Sequence, residues 1–249
     1  MSFHWWRTVF WLIPTIGVYT IGLGILSIGS SFFDRRGYFA HGCARVWSWL
    51  ILATTGVEVE VEGLDRLEPG RTYVFVANHQ SIYDIPIIFW SLPFQLRIIA
   101  KDSLGNFPML GPHLKRTGHM LVDRKRPDRL RILEWANNLT SKGLSLIVFP
   151  EGTRSRDGFL GKFKGGGFLL ALQTGLPIVP ISVVGSRHVM RKGQLTTKPG
   201  RVKLVVHSPI DAPPQSEEAR HANEVRSFAE RVREVIRPAV EVEAVEMGA

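Results

Sequence analysis

The chain has 249 residues, 45% of them apolar, which is enough to bury a substantial core and suits one catalytic domain with an appendage better than two full domains. Its net charge of +9 and pI near 10.0 call for an acidic partner: nucleic acid, an anionic membrane or a phosphorylated small molecule. A single cysteine, Cys43, excludes an internal disulfide and a paired-cysteine metal site, and fits a reducing compartment.

Residues 8–33 carry no formal charge, and as a helix rising about 1.5 Å per residue they would reach across the roughly 30 Å of a bilayer core. Trp5, Trp6 and Trp11 stand at one end and Arg35, Arg36 and Arg45 beyond the other, in the manner of interfacial anchors. The run is longer than the apolar core of a signal peptide and no A-x-A site follows it. A second apolar stretch, 46–57, is too short to cross and reads as an interfacial or re-entrant helix. Pro14, Gly17, Gly22, Gly24 and Gly29 allow bending, so spanning and dipping into one leaflet both fit. The expectation for residues 1–56 is a membrane-associated helical hairpin.

From residue 57 the pattern changes. Residues 57–61 alternate apolar and acidic side chains, as in an edge strand with one wet face. Apolar runs between turn residues follow at 72–77, 96–100, 119–122, 145–149, 178–184 and 202–206. Between them, 126–142 reads as a helix with Pro127 in its first turn and 165–174 as a shorter one closed by Gly175. Val225, Phe228, Ala229, Val232, Val235 and Ile236 recur at helical spacing in a last helix opened by Ser216, with a frayed tail after Pro238. Strands alternating with helices give an α/β fold over 57–249: a mostly parallel sheet flanked by helices.

In such sheets ligands bind beyond the carboxyl ends of the strands, and the residues there are polar in this chain. His79 and Asp84 follow one strand, Lys101 a second, Asp123 and Arg124 a third, and Glu151, Gly152, Thr153 and Arg154 a fourth. A five-residue offset does not align His79 and Asp84 on one helix face, but a loop entering a helix can, leaving one ring nitrogen free to take a proton from a hydroxyl. Each residue also has a plain reading. Ser81 and Asp84 have capping-box spacing, a lone histidine is more often structural, and isolated cations are more often solvated. Convergence at strand ends favours a site. Arginine forks match a phosphate, Gly152 lets backbone approach a ligand, Thr153 adds a hydroxyl, and Glu151 is expected to position a substrate hydroxyl or an arginine. Gly165, Gly166 and Gly167 fit an anion loop or a flexible helix approach equally. The chain has no Walker A sequence, G-x-S-x-G elbow or H-E-x-x-H, and its basic residues are not interleaved with aromatics in any nucleic-acid module.

These blocks resemble the glycerolipid acyltransferases, most closely the 1-acylglycerol-3-phosphate acyltransferases. Asn78 to Asp84 is similar to the family's N-H-x-x-x-x-D motif, whose His and Asp are the catalytic pair. Lys101, Leu104, Pro108 and Gly111, running on through Gly118 to Val122-Asp123-Arg124, resemble a second block. The F-P-E-G-T-R-S run from Phe149 to Ser155 resembles the third, the glycerol-phosphate block, and Val179-Pro180-Ile181 the fourth. The resemblance implies metal-free and cofactor-free transfer from acyl-CoA or acyl carrier protein to the sn-2 hydroxyl of lysophosphatidic acid, giving phosphatidic acid. His79 and Asp84 would be catalytic, and Lys101, Arg124, Glu151, Gly152, Thr153 and Arg154 would bind substrate. Partners would then be the bilayer, lysophosphatidic acid and the acyl carrier, not nucleic acid, at the cytoplasmic face of an inner membrane. A glycerol-3-phosphate acyltransferase, a phospholipid transacylase and a non-catalytic anionic-lipid binder are the alternatives.

Overall fold

In the computed structural model, residues 2–123, 126–213 and 222–246 are described. The apolar runs become β1 (Val57–Glu62), β2 (Val74–Ala77), β3 (Leu96–Lys101), β4 (Met120–Val122), β5 (Ser145–Val148), β6 (Ile178–Val184) and β7 (Gly200–Val206). They form one sheet in the order β1-β7-β6-β2-β5-β3-β4. All neighbours are parallel except the antiparallel pair β6 and β7. Every residue of the central strands β2 and β5 is buried, which is why they read as unbroken apolar runs. β1 keeps its alternation at the sheet edge, turning Glu58 and Glu60 outward.

The helices after residue 57 are α4 (Asp84–Ser91), α5 (Leu110–Arg116), α6 (Arg129–Thr140), α7 (Gly166–Thr174), the short α8 (Ser186–Val189) and α9 (Ala222–Glu246). The sheet separates two cores. Tyr73, Phe75 and Ala77 belong to the face covered by α4, while Val74 and Val76 pack toward α6, α7 and α9. Strand ends shift by one or two residues, and the helices and β4 differ from the sequence expectation in further details. Pro127 lies before α6 rather than in its first turn, because the Asp128 carboxylate accepts the Arg131 N–H (3.1 Å) and caps the helix. His119 precedes β4 instead of belonging to it. α9 runs through Pro238 to Glu246, since the fully buried Val240 holds the helix beyond the proline. Ser216, the expected opener of that helix, lies outside the described residues.

The amino-terminal segment is a helical pair. α1 (Phe3–Arg7) leads through a π-helical turn at Thr8–Leu12 into α2 (Ile13–Ser30), and α3 (Tyr38–Thr55) returns. Among the described residues Phe3–Ser30 is the one helical stretch long and apolar enough to cross a membrane, with a mean hydropathy of 1.9. α3 starts earlier than the expected 46–57 and so also contains His41 and Cys43, which turn inward with Ser48 and are buried. The turn between the helices is built around Asp34, whose carboxylate accepts the N–H groups of Arg36, Gly37 and Phe39 at 2.7–3.1 Å. The almost fully buried Arg97 donates from Nη2 to the Arg36 and Gly37 carbonyls (2.6 and 3.1 Å) and from Nη1 to that of Leu96 (2.8 Å). Gly37 has φ 71°, and a Cβ there would meet Arg97 Nη2 at 2.9 Å, so only glycine fits.

Both ends of the first helical stretch are tied to neighbouring elements. Arg7 Nη2 donates to the Thr55 carbonyl (2.7 Å), and Arg116 Nε of α5 donates to Ser31 Oγ (2.9 Å). α2 thus lies along the domain, with Val18, Ile21 and Ile25 left on its exposed face.

Candidate active site

The register of β2 against β5, Val74 with Leu146 through Val76 with Val148, brings the carboxyl ends of the two strands level. Asn78 then stitches β2 to β6: its side-chain amide donates to the Val183 carbonyl (2.8 Å) and accepts the Val183 N–H (2.7 Å). That clamp fixes the backbone one residue before His79. The His79 ring lies 4.4 Å from the Phe149 ring in a stacked arrangement, and Nδ1 is 2.7 Å from Asp84 Oδ2. Asp84 is fully buried, and the same oxygen accepts the N–H groups of Gln80 (2.7 Å) and Ser81 (3.0 Å). An oxygen already receiving two backbone donors is held as an acceptor, so the His79 proton sits on Nδ1 and Nε2 is the basic nitrogen. Asp84 thus accepts the Ser81 N–H, one half of a capping box, through the oxygen that pairs with His79, while Ser81 Oγ turns away to the Met190 carbonyl.

Glu151 is buried, and both its oxygens are taken by backbone: Oε1 accepts the His79 N–H (2.7 Å) and Oε2 the Gly161 N–H (3.0 Å). Burial pushes its carboxyl above the usual range, while those two donors pull it back. In place of a substrate hydroxyl or an arginine, Glu151 holds the backbone of the histidine itself. Ser155 N–H closes the ring by donating to the His79 carbonyl (2.8 Å).

The cations expected at the strand ends fall as follows. Lys101 ends β3 and is exposed; Arg154 is half-buried; both line one pocket with His79. Arg124 lies outside the described residues. Gly152 has φ 68°, and a Cβ there would come within 2.9 Å of Lys164 Nζ, so this glycine admits a lysine over the loop. Thr153 is exposed and accepts from Lys192 Nζ (2.8 Å), which also donates to the Arg154 carbonyl (2.7 Å). Lys192 is a residue that local spacing did not reveal. Among the described residues no cluster of three His, Cys, Asp or Glu side chains is placed to hold a metal.

The pocket has a volume of about 400 Å³. It runs between the hairpin and the sheet, from His79, Phe149 and Arg154 past Gly24, Cys43 and Ile98 to His113 and His119. Small side chains on α2 and α3, among them Gly24, Ser27, Cys43 and Ala44, create the space. Ser27 Oγ and His113 Nδ1, 2.6 Å apart, join α2 to α5 across it. His119 Nδ1 accepts the Ile98 N–H (3.1 Å). Burial and the nearby Arg97 charge hold His113 near a pKa of about 4, and burial first of all holds His119 well below the ordinary histidine value. Both rings are neutral at pH 7. Sequence patterns did not mark Ser27, His113 or His119, since only the packing of the hairpin on α5 brings them together.

At its carboxyl ends the sheet thus presents a histidine held by a buried carboxylate, two cations and an apolar pocket. Comparison with known proteins converges on the same segment: residues 58–184 match the family model described as Acyltransferase, and the chain belongs to that family. It is 36% identical over 202 residues to the chloroplastic 1-acyl-sn-glycerol-3-phosphate acyltransferase BAT2 of Brassica napus, covering 78% of this chain and 58% of the relative. It is 35% identical over 181 residues to 1-acyl-sn-glycerol-3-phosphate acyltransferase alpha of Mus musculus, covering 72% and 62%. The chain thus spans about three fifths of the length of these curated relatives. The crystal structure of the 1-acyl-sn-glycerophosphate (LPA) acyltransferase PlsC from Thermotoga maritima superposes with a TM-score of 0.71 at 29% identity, over 92% of this chain and 94% of that one.

Proposed function

We propose that the chain transfers a fatty acyl group from a thioester, acyl-CoA or acyl carrier protein, to the sn-2 hydroxyl of 1-acyl-sn-glycerol-3-phosphate, giving phosphatidic acid. The observation that carries this reading is the Asp84-held His79 at the mouth of an apolar pocket that also reaches Lys101 and Arg154. Nε2 of His79 takes the hydroxyl proton as the oxygen attacks the thioester carbonyl. Asp84 steadies the imidazolium that forms. Collapse of the tetrahedral intermediate breaks the carbon–sulfur bond, and the thiolate leaves with the proton from His79, so no acyl-enzyme is required. The thioester is a co-substrate, and the reaction as proposed uses no metal or resident cofactor.

Lys101 and Arg154 hold the acceptor phosphate, with Arg124 assigned the same task from the sequence. Gly152 and Thr153 shape the glycerol site, and the pocket takes an acyl chain. The exposed apolar face of α2 and the Trp6, Phe10 and Trp11 side chains favour residence at a membrane surface, where both lipid substrates are dissolved. The cytoplasmic face of an inner membrane is the proposed location.

The test incubates purified protein with lysophosphatidic acid and either acyl-CoA or acyl carrier protein thioesters, reading thiol release and phosphatidic acid together. The wild type should form both products with at least one donor, and a folded His79→Ala protein should form neither. Full activity without His79 would end the proposal. Glycerol-3-phosphate as the preferred acceptor would move the assignment to the neighbouring activity.

A further inference from the structure

The carboxylate that holds the His79 backbone is itself held from an unexpected direction. Gly161 donates its N–H to Glu151 Oε2 (3.0 Å), and the space around it is so tight that a Cβ on Gly161 would stand 2.9 Å from the same oxygen. The carbonyls of Gly161 and its neighbour Leu160 are fixed in turn by one side chain of α9. Arg233 donates from Nε to the Gly161 carbonyl and from Nη2 to that of Leu160, both at 3.1 Å. Its remaining nitrogen, Nη1, faces Glu230 (3.0 Å) and Glu234 (3.8 Å) on the same helix, and the side chain is only 18% exposed. A planar fork gripped by two carboxylates on one side and two carbonyls on the other has little freedom to reorient.

α9 packs with α6 and α7 on the face of the sheet opposite the hairpin and the pocket. It also lies outside residues 58–184, the segment that the family model matches. We infer that Arg233 is a positioning residue for His79, acting from the far face of the sheet through Leu160–Gly161 and Glu151. The contact order is continuous: guanidinium to carbonyl, the adjoining N–H to carboxylate, carboxylate to the His79 N–H. The neighbouring stretch of the same loop has a separate support, because Lys192 holds Thr153 and the Arg154 carbonyl. Losing Arg233 should therefore disturb the base and spare the phosphate-binding arginine.

This inference rests on the proposed acyl transfer, and the experiment separates the two. An inactive wild type would remove the reading itself; an active one allows Arg233 to be judged. In Arg233→Lys the ammonium can still face Glu230 and Glu234 but cannot fork two carbonyls. It should melt within a few degrees of wild type yet lose about fivefold or more in kcat, with both KM values within about twofold. The converse control is Phe228→Ala, which removes a buried ring of α9 that is set edge-on against Phe168 of α7 and takes part in none of these hydrogen bonds. It should lower the melting temperature and leave the kcat of the folded fraction unchanged. Wild-type kcat in Arg233→Lys would overturn the inference. So would a kcat loss in Phe228→Ala equal to that of Arg233→Lys, because helix packing alone would then explain both.

Discussion

Asp84→Asn isolates the charge of the proposed catalytic carboxylate from its shape. One oxygen of Asp84 accepts from Gln80 N–H, Ser81 N–H and His79 Nδ1, while Oδ1 is buried with no partner among the described residues. An asparagine has two ways to fill this site, and only one is tolerable. Turning the amide NH2 toward the two backbone N–H groups would oppose donor to donor, so the carbonyl must take that place. His79 then keeps its proton on Nδ1, and the substitution removes only the negative charge that stabilises the forming imidazolium. For unit charges about 4 Å apart at an effective dielectric of about 20, that interaction amounts to about 4 kcal/mol. At about 1.4 kcal/mol per decade the expected loss in kcat is about 100- to 1,000-fold. Stability should change little, because an unpaired buried acceptor is exchanged for an unpaired buried donor. Steady-state thiol release, with a melting curve on each protein, checks both parts. Activity within tenfold of wild type would refute the electrostatic argument. A loss as deep as that of His79→Ala would show instead that the amide turned and the imidazole adopted the other tautomer.

Three further outcomes follow from the site. Arg154→Ala should raise the acceptor KM by about 10- to 100-fold, the worth of a charged hydrogen bond, and leave the donor KM alone; an unchanged acceptor KM would count against phosphate contact. Gly24→Leu should fill the pocket, since even a Cβ there lies 3.1 Å from Met109 Cβ, and kcat/KM should fall about fourfold for each methylene excluded, shifting preference to shorter donors. Undiminished use of long donors would show that the acyl chain lies elsewhere. The protein should also be acid-sensitive. His113 and His119 are held neutral in the fold, so as pH falls below about 6.5 the unfolded chain takes up protons that the folded chain refuses, and stability drops with pH down to about 4. For His113 the shift from 6.5 to about 4 corresponds to about 3 kcal/mol. Melting temperatures between pH 7 and 5 measure this slope, and replacing both rings by Phe should reduce it, leaving the share of His41, which burial holds near a pKa of about 3; an unchanged slope would mean that the two rings are not the source.

Much of this arrangement can be read without coordinates, for identifiable reasons. β2 and β5 announce themselves because strands buried on both faces must be apolar at every position, and the polar residues after Ala77 and Val148 stand out against them. His79 and Asp84 share a loop, so their pairing depends on only a few torsions. Contacts made by the sheet as a whole are harder to see. Asn78 and Val183 are 105 residues apart, and Arg233 reaches a loop 72 residues away. Arg97 has the composition of a surface residue and the environment of a core one, because the carbonyls that hold it come from the hairpin turn. Glu151 has partners other than those its sequence context suggests, for a related cause. An acidic side chain among cations suggests a partner of opposite charge, but two backbone N–H groups meet it first.

The way α2 is fastened at Arg7 and Arg116 has an architectural corollary. An enzyme that merely wore a membrane anchor could be trimmed into a water-soluble form with its chemistry intact. Here the greasy segment supplies one side of the very chamber that His79 overlooks, so cutting it away would leave a roofless compartment open to water. The proposed attachment to lipid and the possession of a binding chamber are thus one inheritance of the same helix, and neither can be engineered out without surrendering the other.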